Sequence, residues 1–236
     1  MPVILSTKEL WFPDAEEADE SGLLAVGGDL SVERLKLAYS HGIFPWFNEE
    51  PVLWWSPDPR MVLFPGKMII SHSLRQVIRR NEFEIRYDTQ FENVIKSCAK
   101  TPREHEDGTW ITDSMVKAYI KLHKYGYAHS VEAYSGQNLV GGLYGIAIGK
   151  AFFGESMFHL MPNASKTALF HLSELLKEWE FSIIDAQVYT NHLESLGGEL
   201  IPRKAYLRLL ENAVQTPGIE GNWTQFTENR ILTERL

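Results

Sequence analysis

The chain of 236 residues predicts an α+β (mixed α/β) fold with a mainly antiparallel central sheet behind a small N-terminal domain. Three observations carry this reading. Helically spaced apolar residues dominate the stretch from about Ser71 to Gly126, three extended segments joined by SGQ and GK turns follow, and a helical segment then leads into the apolar run FSIIDAQVY. Helices, then a meander, then a helix with a buried strand is the order of a mixed fold, not of a bundle or a sandwich.

The first sixty or so residues differ in texture from the rest. They hold Trp11, Trp46, Trp54 and Trp55, four of the seven Trp, and the run FPWFNEEPVLWWSPDPR from Phe44 to Arg60, where fixed φ angles and missing N–H groups oppose regular structure. We place a domain boundary there, with residues 1–61 as the small domain and 62–236 as the larger one. Within the first, Asp29 or Ser31 caps a helix through about Ser40, Leu35, Ala38 and Tyr39 share a face, and Gly42 is the left-handed stop.

Past Met61, Ser71 or Ser73 opens a helix carrying Leu74, Val77 and Ile78. Thr89-x-x-Glu92 has the spacing of a capping box before Phe91, Val94, Ile95 and Cys98, which places Cys98 in the core. Thr112 or Asp113 starts a third helix, closed by Gly126. The runs HSVEAY, NLVGGLYGIAIG and KAFFGESMF then read as an antiparallel meander. Asn163 or Ser165 begins a helix through Leu176, FSIIDAQVY is a buried strand, and Pro202 sits in the first turn of a last helix through Leu210. The tail from Thr216 is weakly patterned.

Composition narrows the function. Lys plus Arg minus Asp plus Glu is 23 minus 31, or −8, so a polyanion would have to be met by a local patch and not by a global basic field. Such patches are available near Arg75, Arg79, Arg80 and near Arg203, Lys204, Arg208, although a charge run on a helix is usually a solvated face. A single cysteine excludes an internal disulfide and any Cys/Cys metal spacing, and points to a reducing cytoplasm. The start lacks a basic end followed by an apolar stretch, and no run approaches membrane-spanning length, so the chain reads as soluble and unprocessed.

Standard catalytic patterns are missing. Gly149-Lys150 is followed by Ala151 and lacks the glycine of a phosphate loop, no HExxH pair occurs among the eight His, and Ser156 lacks the second glycine of a nucleophile elbow. More informative is the strand carrying Asp185 and Gln187. Strand alternation would put both on one face between Ile184, Ala186 and Val188, as a satisfied buried polar pair or as catalytic groups. Glu155, inside the apolar FFGESMF, is an acid that needs a partner, usually a cation of the protein or ligand. Trp54 and Trp55 suit a domain interface, whereas Trp46 and Trp110 lie in turn-like contexts where a ring is free to stack on a base.

The runs LLAVGGDLS, GIFPWF, LWWSPDPR, EDGTWIT, YAHSVE, LVGGLYG, FFGESMF, NASKTAL, IIDAQV and SLGGELIPR, in this order and over nearly the whole chain, resemble the leucyl/phenylalanyl-tRNA–protein transferase family. The resemblance implies an acetyltransferase (GNAT)-like larger domain and transfer of Leu or Phe, and less well Met, from aminoacyl-tRNA to the α-amine of proteins beginning with Lys or Arg, marking them for N-degron-dependent degradation. It implies no cofactor and no metal, and neither does it imply a membrane partner. An acetyl-CoA donor is disfavoured by the residues themselves, since no Q/R-x-x-G-x-G/A loop follows the meander.

Carried over by position, Asp185 and Gln187 match the pair acting on the attacking amine, with Asp185 orienting and polarising Gln187. Glu155 and Asp185 are counter-charges for the cationic acceptor. Leu143, Phe152, Phe153, Ser156, Met157, Leu169, Leu172 and Ile184 match or border the amino-acid pocket. Trp46 and Trp110, with Tyr39 and Tyr119 beside them, match contacts to the aminoacyl-adenosine end, and Arg75, Arg79 and Arg80 fall where the family has a basic helix for the acceptor stem. Met157, unbranched, would adjust to either side chain.

Overall fold

The computed structural model describes residues 2–101 and 111–227. Trp110 lies outside the described residues. Strands up to Trp55 pair only with one another: β1 (Val3–Leu5), β2 (Leu23–Gly27), β3 (Phe44–Pro45) and β4 (Leu53–Trp55) form a sheet of order β1-β2-β4-β3, with β1 parallel to β2 and the other pairs antiparallel. Two short strands therefore arise inside the Pro-rich run expected to be irregular. They form where the backbone N–H groups between prolines can pair, as in Trp54 against Pro45 and Ala25. Helix α1 (Val32–Ser40) crosses between β2 and β3, with the Ser31 hydroxyl accepting from the Arg34 N–H at 3.3 Å and Gly42 leaving at φ +72°.

From Arg60 onward a seven-stranded sheet runs β11-β5-β10-β9-β8-β7-β6. Its strands are β5 (Arg60–Leu63), β6 (Glu84–Tyr87), β7 (Ala128–Ser135), β8 (Asn138–Ile148), β9 (Ala151–His159), β10 (Ile183–Gln187) and β11 (Glu199–Ile201). The expected meander is β7-β8-β9. Only β10 and β9 are parallel, joined by the crossover helix α5 (Ala164–Glu178), so the sheet is mixed and mainly antiparallel. Helices α2 (His72–Arg79), α3 (Phe91–Lys100) and α4 (Asp113–Lys124) precede the meander. After β10 come α6 (Asn191–Ser195), α7 (Arg203–Gln215) and α8 (Thr224–Thr227).

Alternation along the strands divides the apolar side chains between two layers. Tyr144, Ile146, Phe153 and Ile183 pack with α1, α3, α4, α7 and the small sheet, whereas Leu143, Ala147, Phe152 and Ile184 pack with α2 and α5. The first layer is continuous from Leu5 and Trp54 to Cys98, which is fully buried as expected.

Two sequence expectations fail here for identifiable reasons. The capping box at Thr89 does not form, because the Thr89 hydroxyl donates instead to Glu132 of β7 at 2.7 Å. The Glu132 carboxylate also accepts the Thr89 and Gln90 N–H groups, so the helix start is satisfied from across the sheet. The weakly patterned tail proves anchored: Trp223 is fully buried, stacks on His129 with ring centroids 3.8 Å apart, and donates its backbone N–H to Asp88 at 2.8 Å.

Candidate active site

Two β-bulges build the site. On β10, Asp185 faces Val62 of β5 and Gln187 faces Met61, so Ala186 is unopposed and Gln187 adopts φ +60°. On β9, Gly154 pairs with Gly145 and Ser156 with Tyr144, which leaves Glu155 as the extra residue. Each bulge re-aims the side chains that follow it. Ile184 and Ala186 would share one face and Asp185 and Gln187 the other, yet Ile184, Ala186 and Gln187 all line a cavity while Asp185 does not. The shared face expected of Asp185 and Gln187 is therefore corrected, because the bulge between them breaks the alternation on which it rested.

The cavity is about 610 Å³, within the usual range of small-ligand sites. Its apolar walls come from Leu63, Leu143, Phe152, Met157, Leu169, Leu172 and Ile184; Trp46 arrives from the small sheet, and Glu155, Ser156 and Gln187 supply polar atoms. Of the pocket residues expected from sequence, Phe153 is absent from these walls. It points to the opposite layer, where its ring meets Tyr39 with centroids 5.1 Å apart. Trp46 is held by its backbone, whose carbonyl accepts from Trp55 Nε1 at 2.7 Å. Trp54 is fully buried with its ring against Phe12, but Trp55 stands against Trp46 in this support.

Asp185 is fully buried and already has its cation. Its oxygens accept from Arg60 Nε at 2.8 Å and Nη2 at 2.7 Å, and Tyr206 donates to it at 2.7 Å. The Arg60 guanidinium lies between the rings of Phe44 and Tyr206, 4.8 and 4.6 Å from their centroids. Burial would lower the Arg60 pKa, but the Asp185 charge outweighs it and raises it. Asp185 is thus not an available counter-charge for a substrate. Its bond to Gln187 is to the backbone N–H, at 2.9 Å, so it holds the bulge and does not touch the side-chain amide. Sequence reasoning missed Arg60 and Tyr206: they lie 125 and 21 residues from Asp185, and no spacing rule joins β5, β10 and α7.

Glu155 is half-buried, and among the described residues its hydrogen-bond partners are two hydroxyls and an amide, not a cation. Tyr39 donates to Oε1 at 2.7 Å, Tyr119 to Oε2 at 2.9 Å, and Gln187 Nε2 to Oε1 at 3.3 Å. Burial pushes its pKa up to about 7, with the tyrosine hydrogen bonds opposing, the nearby Asp185 charge adding and Arg60 subtracting. Tyr39 and Tyr119 do not line the cavity but stand behind this acid, and burial together with its charge raises both of their pKa values well above the ordinary phenol. Gln187 turns its amide nitrogen to the carboxylate, which leaves the amide oxygen as the acceptor that can face a ligand.

The basic groups lie elsewhere. Arg75 is half-buried and Arg79 and Arg80 are exposed on α2; none lines the cavity, and Arg80 sits 3.7 Å from Glu82. Arg203 is used internally, donating to the Ser56 and Glu16 carbonyls. Among the described residues no group of three His, Cys, Asp or Glu could hold a metal ion, and no helix is long and apolar enough to cross a membrane.

Residues 62–211 match the family model described as leucyl/phenylalanyl-tRNA protein transferase, and residues 28–58 match the model of that family's N-terminal domain. This chain belongs to the leucyl/phenylalanyl-tRNA protein transferase family. Relatives carrying that name are similar over almost all of it. One from Syntrophus aciditrophicus is 49% identical over 97% of this chain and 96% of its own length. Another from Syntrophobacter fumaroxidans is 55% identical over 89% and 90%, and one from Myxococcus xanthus 50% over 95% and 97%. The transferase family, by its name, uses aminoacyl-tRNA and a protein acceptor, so the chain is an aminoacyltransferase. Such chemistry asks for an apolar hole for the amino-acid side chain, with polar groups beside its ester carbon.

Proposed function

We propose that this aminoacyltransferase moves Leu or Phe, and less well Met, from aminoacyl-tRNA to the α-amine of proteins beginning with Lys or Arg, and that the product is an N-degron. The observation that carries the reading is the pairing of a cavity of about 610 Å³, walled by Leu143, Phe152, Met157, Leu169, Leu172 and Ile184, with Glu155 and Gln187, bonded to each other, in the same lining. Side chains unbranched at Cβ, as in Leu, Met and Phe, enter such a hole. β-Branched ones are excluded only by shape, a difference worth about 1–3 kcal/mol per methylene, so discrimination is incomplete.

In this reading the aminoacyl ester lies over Gln187, whose amide oxygen orients the attacking amine, while Trp46 and Trp110 hold the terminal adenosine. Glu155 is the open negative group toward the cationic acceptor. Asp185 acts through the backbone of the bulge that aims Gln187. Placing the two reactants supplies much of the rate, since a neutral amide is a weak base and the ester is already activated. Arg75, Arg79 and Arg80 are our assignment for acceptor-stem phosphates. We read the two sheets as a small N-terminal domain, 1–61, and a GNAT-like catalytic domain, 62–236; support for the latter is the meander, the crossover helix α5 and the parallel strand β10. Cys98, buried and the single cysteine of the chain, is in keeping with a cytoplasmic enzyme.

One assay tests the whole reading. The chain is incubated with labelled Phe-tRNA and peptides that begin with Arg or with Ala. Label passing to the Arg peptide alone is expected. Label that stays on bound tRNA, or acetyl transfer from acetyl-CoA in a parallel reaction, overturns it.

A further inference from the structure

Behind the cavity wall, Tyr39 of α1, Tyr119 of α4 and Glu155 of β9 form a closed triangle of oxygens. Tyr39 Oη lies 2.7 Å from Oε1, Tyr119 Oη 2.9 Å from Oε2, and the two phenol oxygens 2.5 Å from each other. Each contact needs one hydrogen between its oxygens, so three contacts need three protons. The two phenols bring two. With Glu155 ionised, both hydroxyls are spent on the carboxylate and the Tyr39–Tyr119 contact has no hydrogen in it. With one proton on Glu155 every contact is filled: Oε1–H to Tyr39, Tyr39 to Tyr119, Tyr119 to Oε2. The ring closes equally well in the opposite sense, so a proton arriving at either oxygen completes it.

We propose that Glu155, in its ionised form, is the catalytic residue that takes a proton from the acceptor's ammonium group, that this exchangeable proton completes the ring, and that Tyr39 and Tyr119 are positioning residues. This rests on the aminoacyl-transfer reading given above. The access is present, because Glu155 lines the cavity while Tyr39 and Tyr119 stand behind it. The groups facing the acid are Tyr39 from α1, Tyr119 from α4, Tyr144 from β8 against the Tyr119 ring, and Asp185 and Gln187 from β10. Arg60 from β5 completes the set, and His192 lines the same cavity. Arg60 and Asp185 largely cancel each other, being bonded at 2.7 Å. What remains is a half-buried acid whose pKa, pushed up to about 7, stands within roughly a unit of an α-amine at about 7.7–8.0.

The step balances. An N–H bond of the ammonium breaks as an O–H bond forms on Glu155, and the freed lone pair attacks the ester carbonyl carbon. The bond to the ribose oxygen then breaks, that oxygen takes a second proton from the nitrogen, and Glu155 later returns its proton to water. An amide and a free tRNA end result.

Two measurements on the full chain test this. Infrared difference spectra without substrate, between about pH 5 and about pH 9, are expected to show a protonated-carboxyl band that titrates near neutrality and vanishes in Glu155→Gln. Glu132, also pushed up to about 7 by its burial, supplies a second band that the variant keeps. Tyr39→Phe and Tyr119→Phe shift the first band without abolishing it. In single-turnover transfer to an Arg peptide, the wild-type rate is expected to rise with pH along an acid limb near that titration and then to level off where the amine is already free. Glu155→Gln loses about 10²-fold at the maximum and keeps only the rise of the amine itself. A Glu155→Gln profile matching the wild type, or no band that depends on Glu155, overturns the proposal. Should that variant not fold, Glu155→Asp withdraws the carboxyl from both hydroxyls, and an acid limb that stays in place overturns it equally. Failure of the wild-type chain to transfer at all sinks the reading above and the catalytic half of this one, while the infrared band judges the ring independently.

Discussion

Asp185 is fully buried, and its charge is held by Arg60, Tyr206 and the Gln187 backbone N–H. Breaking a buried pair by removing one partner leaves the other charge uncompensated, which costs about 3–5 kcal/mol. Asp185→Ala is therefore expected to lower unfolding stability in urea by about that amount, and Asp185→Leu combined with Arg60→Met to recover most of it. Loss of transfer in the single variant alone would not separate function from stability; recovered stability without recovered transfer in the double variant would show that transfer needs Asp185 for more than stability. Glu155 and Glu132 predict a stability trend of opposite sign to that of ordinary carboxylates. Their folded pKa values are raised to about 7, so the folded chain binds protons that the unfolded chain has already released. Their contribution is greatest below about pH 4.5 and is lost as pH rises toward about 7. His129 opposes this on the acid side, because burial lowers its pKa and its protonation below about 6.5 favours unfolding. The melting temperature is thus expected to peak on the mildly acidic side of neutral, and a peak above about pH 8 would contradict these assignments.

At the scale of the element, the two bulges decide what the strands present. Gln187 has two separable tasks there, a positive φ and an amide. Gln187→Asn keeps both the tolerance of that backbone and an amide group, but retracts the amide by one carbon. Its stability is expected to stay within about 0.5 kcal/mol of the parent while transfer falls at least ~10-fold; Gln187→Val, β-branched at positive φ, should lose stability by about 1–3 kcal/mol as well. Unfolding midpoints and transfer rates on the same preparations check this. Helices α1, α2 and α4 were legible in the chain because their caps, Ser31, Ser71 and Thr112, are local. The α3 cap differs from the one the spacing predicts because Glu132, 43 residues away, competes for Thr89. Bulges were not legible at all, since they exist only relative to a paired strand.

Across the whole molecule, the C-terminal segment braces the cavity. Trp223 stacks on His129 and packs against Phe152 and Trp179, and Phe152 is a cavity wall. Trp223→Ala is expected to cost about 3–5 kcal/mol and to raise the Phe-tRNA concentration needed for half-maximal transfer; an unchanged value would detach this brace from the pocket. Charge is also a property of the whole. In a chain of net −8, binding of tRNA through Arg75, Arg79 and Arg80 predicts that replacing all three by Gln flattens the slope of log affinity against log salt by about 2 to 3. An unchanged slope moves the RNA surface elsewhere.

The sequence alone determined most of the helices, the meander with β10, the identity of most apolar wall residues and the family, because helical periodicity, strand alternation and contiguous motifs are all written within a few residues of one another. Tertiary structure decided which polar groups meet. Arg60 was assigned to Asp185 and the two tyrosines to Glu155 only when β10 inserted between β5 and β9 and when α1 and α4 closed over one sheet face. Phe153 and Phe152, adjacent in the chain, were sent to opposite layers by the same pleat. A carboxylate's partner depends on distance in space, and chain spacing records that only where the chain is locally regular.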